Sequence, residues 1–295
     1  MKRFQRIGLF MTGSRGDDEA LAFAARFAEL ADSQLVRCIH VQGAGDDPHA
    51  APPEKNALRR LVRAAMPDTM AERIDVEVDA GGGVRRILRH ARDESLDLIV
   101  VGRPLPTTQV EVGASFAKLA RKAPCDVLVV PNFAQAHLAR VLVPVDCSEH
   151  SRLALETALA IARGSGEPNP HAIVQTIVSV GYGYRSSGVD FAEALHNVEA
   201  ASDTRRDKFL APIDTSGVRV ETICNVSERV AQAVNALAAV RKMDLIVIGS
   251  RGRSAAATAI LGSTAEHVVL AAAQPVLVVK NKGETLGLLD ALLGG

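Results

Sequence analysis

The sequence has little of what several functions require. It contains no Trp and two Tyr, with aromatics at 3%, so it lacks a platform on which exposed bases could stack. Neither sign of charge dominates, Lys plus Arg and Asp plus Glu standing at 34 each. That balance removes the basic field that draws a chain to nucleic acid or to an anionic membrane. No apolar run approaches the ~20 residues of a membrane-spanning helix. Met1-Lys2-Arg3-Phe4 leads into a strand pattern and not a secretory leader. The four cysteines, Cys38, Cys125, Cys147 and Cys224, are scattered without a C-x-x-C pair. They read as small buried residues of a reduced, cytoplasmic protein. The eight histidines show no metal-ligand spacing, so no metal site is expected. G-x-x-x-x-G-K-[ST] is absent, and no G-x-G-x-x-G follows the first strand of either half, which excludes the P-loop and the dinucleotide fingerprint.

What is present is a repeat. Ile7-Gly8-Leu9-Phe10-Met11-Thr12 corresponds to Val141-Leu142-Val143-Pro144-Val145-Asp146, each followed by an Ala/Leu-rich helical stretch. Leu96-Asp97-Leu98-Ile99-Val100-Val101-Gly102 corresponds to Met243-Asp244-Leu245-Ile246-Val247-Ile248-Gly249, and the run ending at Val130 to the run ending at Val279. Three ordered matches across 295 residues indicate a tandem duplication. The expected domains are 1–132 and 140–282, with a tail at 283–295. Each half reads βαβαβαβαβ; in the second the strands lie near 140–145, 172–178, 218–224, 245–248 and 276–279. Continuously apolar strands alternating with helices predict an α/β fold of two open, doubly wound domains, each with a five-stranded parallel sheet. A further helix carries Phe191, Leu195, Val198, Ser202, Arg205, Phe209 and Ile213 at helical spacing, and its apolar members are expected in the core.

The chemistry concentrates after the fourth strand of the second half. Gly249-Ser250-Arg251-Gly252 follows an apolar run, and Gly262-Ser263-Thr264 opens the next helix. A helix start offers unpaired N–H groups and the positive end of its dipole to a phosphate. Glycine admits close approach and positive φ angles that aim successive N–H groups inward. Ser263 and Thr264 add hydroxyls, and Arg251 a charge. A turn plus an N-cap at Ser263 accounts for the same residues without a ligand; the position between strand and helix is what a phosphate loop needs. Ligands of open doubly wound sheets sit where strand order reverses. With first and fourth strands adjacent, Asp146 and Gly249 face one crevice, although Asp146 also reads as a turn or cap aspartate beside Ser148.

These residues resemble the ATP-binding branch of the universal stress protein family, in tandem from Arg6 to Lys280. The family pattern G-2x-G-9x-G-[ST] is matched by Gly249, Gly252, Gly262 and Ser263, with nine residues from Arg253 to Leu261 between. The first-strand P-x-D is matched by Pro144-Val145-Asp146. The resemblance implies a Rossmann-like fold of the adenine-nucleotide alpha-hydrolase kind and ATP, with or without Mg2+, as ligand. Asp146 would contact adenosine and Val178 would hydrogen-bond adenine through its backbone. Pro144 and Ile248 would line the base and ribose pocket, and Gly249, Arg251, Gly252, Gly262, Ser263 and Thr264 would hold ribose and phosphates.

The first half departs from the pattern. Thr12 stands for Asp146, Phe10 for Pro144 and Leu105 for Gly252, and the interval from Pro106 to Val112 is seven residues. Gly102 and Gly113 remain, while Ala114-Ser115 replaces Ser263-Thr264. This half is expected not to bind nucleotide. The closing strands at 126–130 and 276–279 are apolar edges that invite pairing, within one chain as a pseudo-dimer or between chains as a homodimer. The function implied is a cytoplasmic stress-response regulator or partner-binding module that holds ATP, its protein partner unidentified. Two other readings stay open: a slow ATPase or autophosphorylating phosphotransferase, and a scaffold without nucleotide.

Overall fold

A computed structural model describes residues 3–13, 16–41, 53–79, 83–103, 110–180, 190–252 and 261–281, with backbone only at 110–114. The first half runs β1 (Arg6–Met11), α1 (Asp17–Ala31), β2 (Leu35–Val41), α2 (Lys55–Ala65), β3 (Ile74–Asp79), α3 (Val84–Asp93), β4 (Leu98–Arg103), α4 (Val110–Lys122) and β5 (Asp126–Pro131). The second repeats it: β6 (Arg140–Pro144), α5 (Glu149–Gly164), β7 (His171–Val178), α6 (Phe191–Leu210), β8 (Arg219–Val226), α7 (Val230–Val240), β9 (Leu245–Gly249), α8 (Ser263–Ala271) and β10 (Val276–Val279). A short 3-10 turn, Asp68–Arg73, precedes β3.

All ten strands form one sheet, in the order β3-β2-β1-β4-β5-β10-β9-β6-β7-β8. Neighbours within each half are parallel. The halves meet where β5 and β10 pair antiparallel, with Val129 opposite Val276 and Leu128 opposite Leu277. Two strands that would be apolar edges alone thereby cover each other, which removes an aggregation hazard. The repeated Leu-Ile-Val runs sit at the centre because both faces are covered there: every residue of β4, β5, β9 and β10 is buried. Residues of α1, α2, α5 and α6 pack on one face and those of α3, α4, α7 and α8 on the other. The outermost strand β8 is instead half-exposed along its length, so continuous apolarity does not extend to it. Among the described residues no helix is long and apolar enough to cross a membrane.

One expectation needs correction. Only Ser202 and Phe209 of α6 are buried, and Phe191 is 52% exposed. The helix covers outer strands β7 and β8, and only its C-terminal end, with Phe209 and Ile213, joins the core. Its N-terminal half is not core, for β8 is the outermost strand and no described element lies beyond it. The tail at 283–295 falls outside the described residues.

Candidate functional site

The site arises where β6 meets β9. In the first half the equivalent strands β1 and β4 stay paired over four positions, from Ile7–Leu98 to Phe10–Val101. β6 and β9 pair only at Val141–Leu245 and Leu142–Ile246. The cause is Pro144. The Val145 N–H donates to the Gln175 carbonyl at 2.8 Å, toward β7. Successive N–H groups on a strand point to opposite sides, so the nitrogen at 144 faces β9, and proline has no hydrogen there. The ladder ends there, at the point of strand-order reversal that favours ligands.

The cleft at this strand end has a volume of about 640 Å³, in the range of ~300–1,000 Å³ usual for small-molecule sites. All ten residues singled out from the sequence lie on its walls: Pro144, Asp146, Val178, Ile248, Gly249, Arg251, Gly252, Gly262, Ser263 and Thr264. Its lining is apolar at Pro144, Ile177, Val178, Val230 and Ile248 and polar at Arg251, Ser263 and Thr264.

The glycines have different reasons for being glycine. A Cβ on Gly249 would stand 2.7 Å from the His150 carbonyl oxygen in the first turn of α5, and one on Gly102 2.4 Å from Gly16. Close passage of the helix over the strand end therefore demands glycine in both halves, ligand or none. A Cβ on Gly252 would meet Asp146 Oδ2 at 2.7 Å. Gly262 is unlike these: its backbone is extended at φ −71°, and among the described residues a Cβ there would find no atom nearer than 3.7 Å. The expected positive φ angles are absent from Gly249, Gly252 and Gly262. Approach to the backbone, not an unusual backbone angle, is what these glycines provide.

The loop folds back on itself, Gly262 N–H donating to the Ser250 carbonyl at 2.7 Å and Ser250 N–H to Val279 at 2.9 Å. Residues 253–260 lie outside the described residues. Gly262, and not Ser263, is the N-cap of α8, and no side chain caps it. The first intrahelical bond is Glu266 N–H to Gly262 O, so the amides of Ser263, Thr264 and Ala265 lack a helical acceptor and open onto the cleft. Asp146 shows both of its sequence readings. Oδ1 accepts from Ser148 N–H at 3.0 Å as a turn aspartate, while Oδ2 lies against Gly252. Ser148 in turn caps α5 through Ser151 N–H.

Val178 lines the cleft, but its carbonyl accepts from Ser227 N–H at 2.9 Å, toward β8. A residue's N–H and C=O point to the same side of its strand, so Ile177 is the residue whose backbone groups face the side where β6 has ended. Sequence reasoning missed Ile177, Ser151, Ser202 and Arg205, all on the cleft. The signal for the last two was available: they are the polar interruptions in the apolar stripe of α6.

At the corresponding strand end of the first half the described residues differ. Phe10 is fully buried and packs in the core with Ile39, Val41 and Ile87; a Cβ on Gly8 would lie 2.9 Å from its ring. Thr12 and Gly13 donate their N–H groups to Asp17 Oδ2 at 2.9 and 2.8 Å, so the acid here is a buried helix-start residue. Leu105 and the start of the shortened interval lie outside the described residues. Among the described residues one trio, Glu77, Asp79 and His90, brings possible metal-ligand atoms together. It lies at the first half's outer strand, with Asp79 paired to Arg86 and Glu77 to Arg37.

A sequence profile of the Universal stress protein family matches residues 3–131 and again 137–280. Among curated proteins, a universal stress protein E homolog of Haemophilus influenzae is 27% identical over 172 residues, covering 52% of this chain. That match spans 51% of the relative, about half its length. A universal stress protein of Thermus aquaticus, from the QAH/OAS sulfhydrylase 3' region, is 30% identical over 150 residues, covering 48% of this chain and 97% of the relative. The crystal structure of a universal stress protein from Archaeoglobus fulgidus superposes with a TM-score of 0.61 at 16% identity, covering 96% of this chain and 100% of that one. The shared fold thus extends over both halves.

Proposed function

We propose, for a chain that belongs to the universal stress protein family, that the cleft of the second half binds ATP while the first half binds no nucleotide. The chain would then act in the stress response as a nucleotide-dependent regulator or partner-binding module. The observation that carries this reading is a cleft at the end of the β6–β9 ladder, onto which the uncapped first turn of α8 opens.

The cleft sorts a nucleotide by chemistry. The apolar lining at Pro144, Ile177, Val178, Val230 and Ile248 suits the base. Asp146 Oδ2, beside Gly252, is placed to accept from ribose hydroxyls. The Ser263 and Thr264 amides and hydroxyls, at the positive end of α8, suit phosphate oxygens. Arg251 and Arg205 add positive charge on the walls. Gly262 leaves the space a phosphate would take.

Turnover is not what this arrangement favours. Among the described residues lining the cleft, Asp146 is the sole carboxylate, and one of its oxygens is held in the Ser148 turn. Phosphoryl transfer needs a metal held in place and a group that orients the nucleophile. A Mg2+ ion would enter with the triphosphate and find hydroxyls of Ser263 and Thr264 beside it. Equilibrium dialysis with labelled ATP, paired with a phosphate-release assay, tests the reading. Saturable binding with no release beyond a slow background supports it; absence of binding contradicts it, and rapid release makes the chain an ATPase.

A further inference from the structure

The helix whose first turn faces the cleft is held at its other end by the opposite half. α8 ends at Ala271, leaving C-terminal carbonyls that need outside donors. Those of Leu270 and Ala272 accept from the guanidinium of Arg103, at the end of β4, the Leu270 bond being 2.7 Å. Arg103 is 1% exposed, and burial lowers its pKa from the ordinary value. A cation taken out of water is costly unless its donors are well used, and here it meets the negative end of a helix dipole. A second grip lies nearer the cleft, where Arg121 of α4 pairs with Glu266 of α8 at 2.5 Å.

The grip is reciprocal. Lys280, just beyond β10 and 2% exposed, donates to the carbonyls of Ala123 at 2.5 Å and Arg121 at 3.3 Å, behind α4. Burial pushes its pKa down to about 8. Strand registers set Ile99 opposite Val127 and Ile246 opposite Val276. Counted back from those pairs, Arg121 and Ala123 are the counterparts of Leu270 and Ala272. Each half thus seats a buried cation on the same two carbonyls of the other half's last helix. The cations come from different strands, so this is not a relic of the duplication.

We propose that Arg103 is a positioning residue for the cleft: by fixing the C-terminal end of α8 it sets where Ser263 and Thr264 stand, so the half without a binding loop contributes to nucleotide affinity in the other. This rests on the nucleotide reading above. α8 has nine residues, about 14 Å of helix, short enough to shift as one rod. Its N-terminus is tied to the end of β9 through the Gly262–Ser250 bond, so the position of its first turn depends on what holds both ends. Linkage makes the coupling mutual, since a ligand that favours one helix position tightens the contact that favours the same position.

The test uses the full chain in four variants, with ATP affinity by calorimetry and backbone hydrogen exchange of α8 without nucleotide. Arg103→Met should weaken ATP about tenfold, within the usual span of coupling between sites, and speed exchange over residues 266–271. Arg103→Lys should recover most of both, because Lys280 shows that an ammonium can hold two such carbonyls. Val62→Ala, in α2 on the opposite face of the sheet, should lower the melting temperature and leave affinity unchanged. Arg121→Ala, on the surface, should weaken ATP about two- to threefold, the low end of what a mutation between coupled sites does, and it keeps the test open should Arg103→Met fail to fold. Wild-type affinity in Arg103→Met, or in Arg121→Ala if that is the folded variant, overturns the proposal, as does unchanged exchange in α8. A wild-type chain that binds no ATP while Arg103→Met still speeds that exchange overturns the nucleotide reading instead.

Discussion

The two halves carry the same strand order and part company over two residues of strand pairing. In the first, β1 and β4 run together to Phe10–Val101, and the Phe10 ring is buried in the core. In the second, β6 and β9 stop at Leu142–Ile246, and Pro144 lines a cleft of about 640 Å³. The exchange of Phe10 for Pro144 accounts for both changes, since proline removes a large side chain and a ladder donor together. On a shared scaffold, the described difference lies at the end of one strand, beside the loop in which the two sequences also diverge. The glycine after the fourth strand does not separate them, because Gly102 and Gly249 serve the same helix packing in both halves.

The largest expected effect comes from Gly262→Val. The backbone there is extended and has room for a Cβ, so the variant should fold and melt like the wild type. Its branched side chain would occupy the approach to the α8 amides, and ATP affinity should fall by more than about a hundredfold, the loss of more than one charge-assisted hydrogen bond. Asp146→Ala comes next. Removing one hydrogen-bonded carboxylate should cost roughly 1.5–3 kcal/mol of binding, a tenfold to hundredfold weakening measurable by calorimetry.

Gly102→Ala and Gly249→Ala sharpen the comparison from the other side. Each Cβ would meet helix backbone within 3 Å, so each should lower stability by about 1–3 kcal/mol in denaturant melts. The similar size of the two losses is the point: unequal losses would mean that Gly249 has a role its counterpart lacks. The smallest effect is expected from Pro144→Ala, which returns an N–H facing β9. Hydrogen exchange should show that amide protected, and affinity should fall severalfold as the strands zip further. An unprotected amide at 144 would show that something other than the proline holds β6 and β9 apart.

Much of this was legible in the sequence. The Leu-Ile-Val runs before Gly102 and Gly249 are the central buried strands, and the spacing from Gly249 to Ser263 with Pro144-Val145-Asp146 placed ten residues on one cleft. What could not be read has physical causes. Where two strands part depends on which side a missing N–H faces, and that needs the register. The stripe on α6 predicted a core because periodicity records a face but not what lies opposite it. Backbone direction along β7, which turns attention from Val178 to Ile177, is invisible in side chains. Arg103 reaches carbonyls 167 residues away in sequence, and no local pattern announces such a cap.

The central claim is that nucleotide binds in the second half alone, and stoichiometry tests it most directly. Titration of the full chain with ATP by calorimetry should give one site per chain, abolished or strongly weakened by Asp146→Ala and unaffected by Thr12→Ala. Two equivalent sites per chain, or a single site that survives Asp146→Ala unchanged and is lost on Thr12→Ala, would contradict the account.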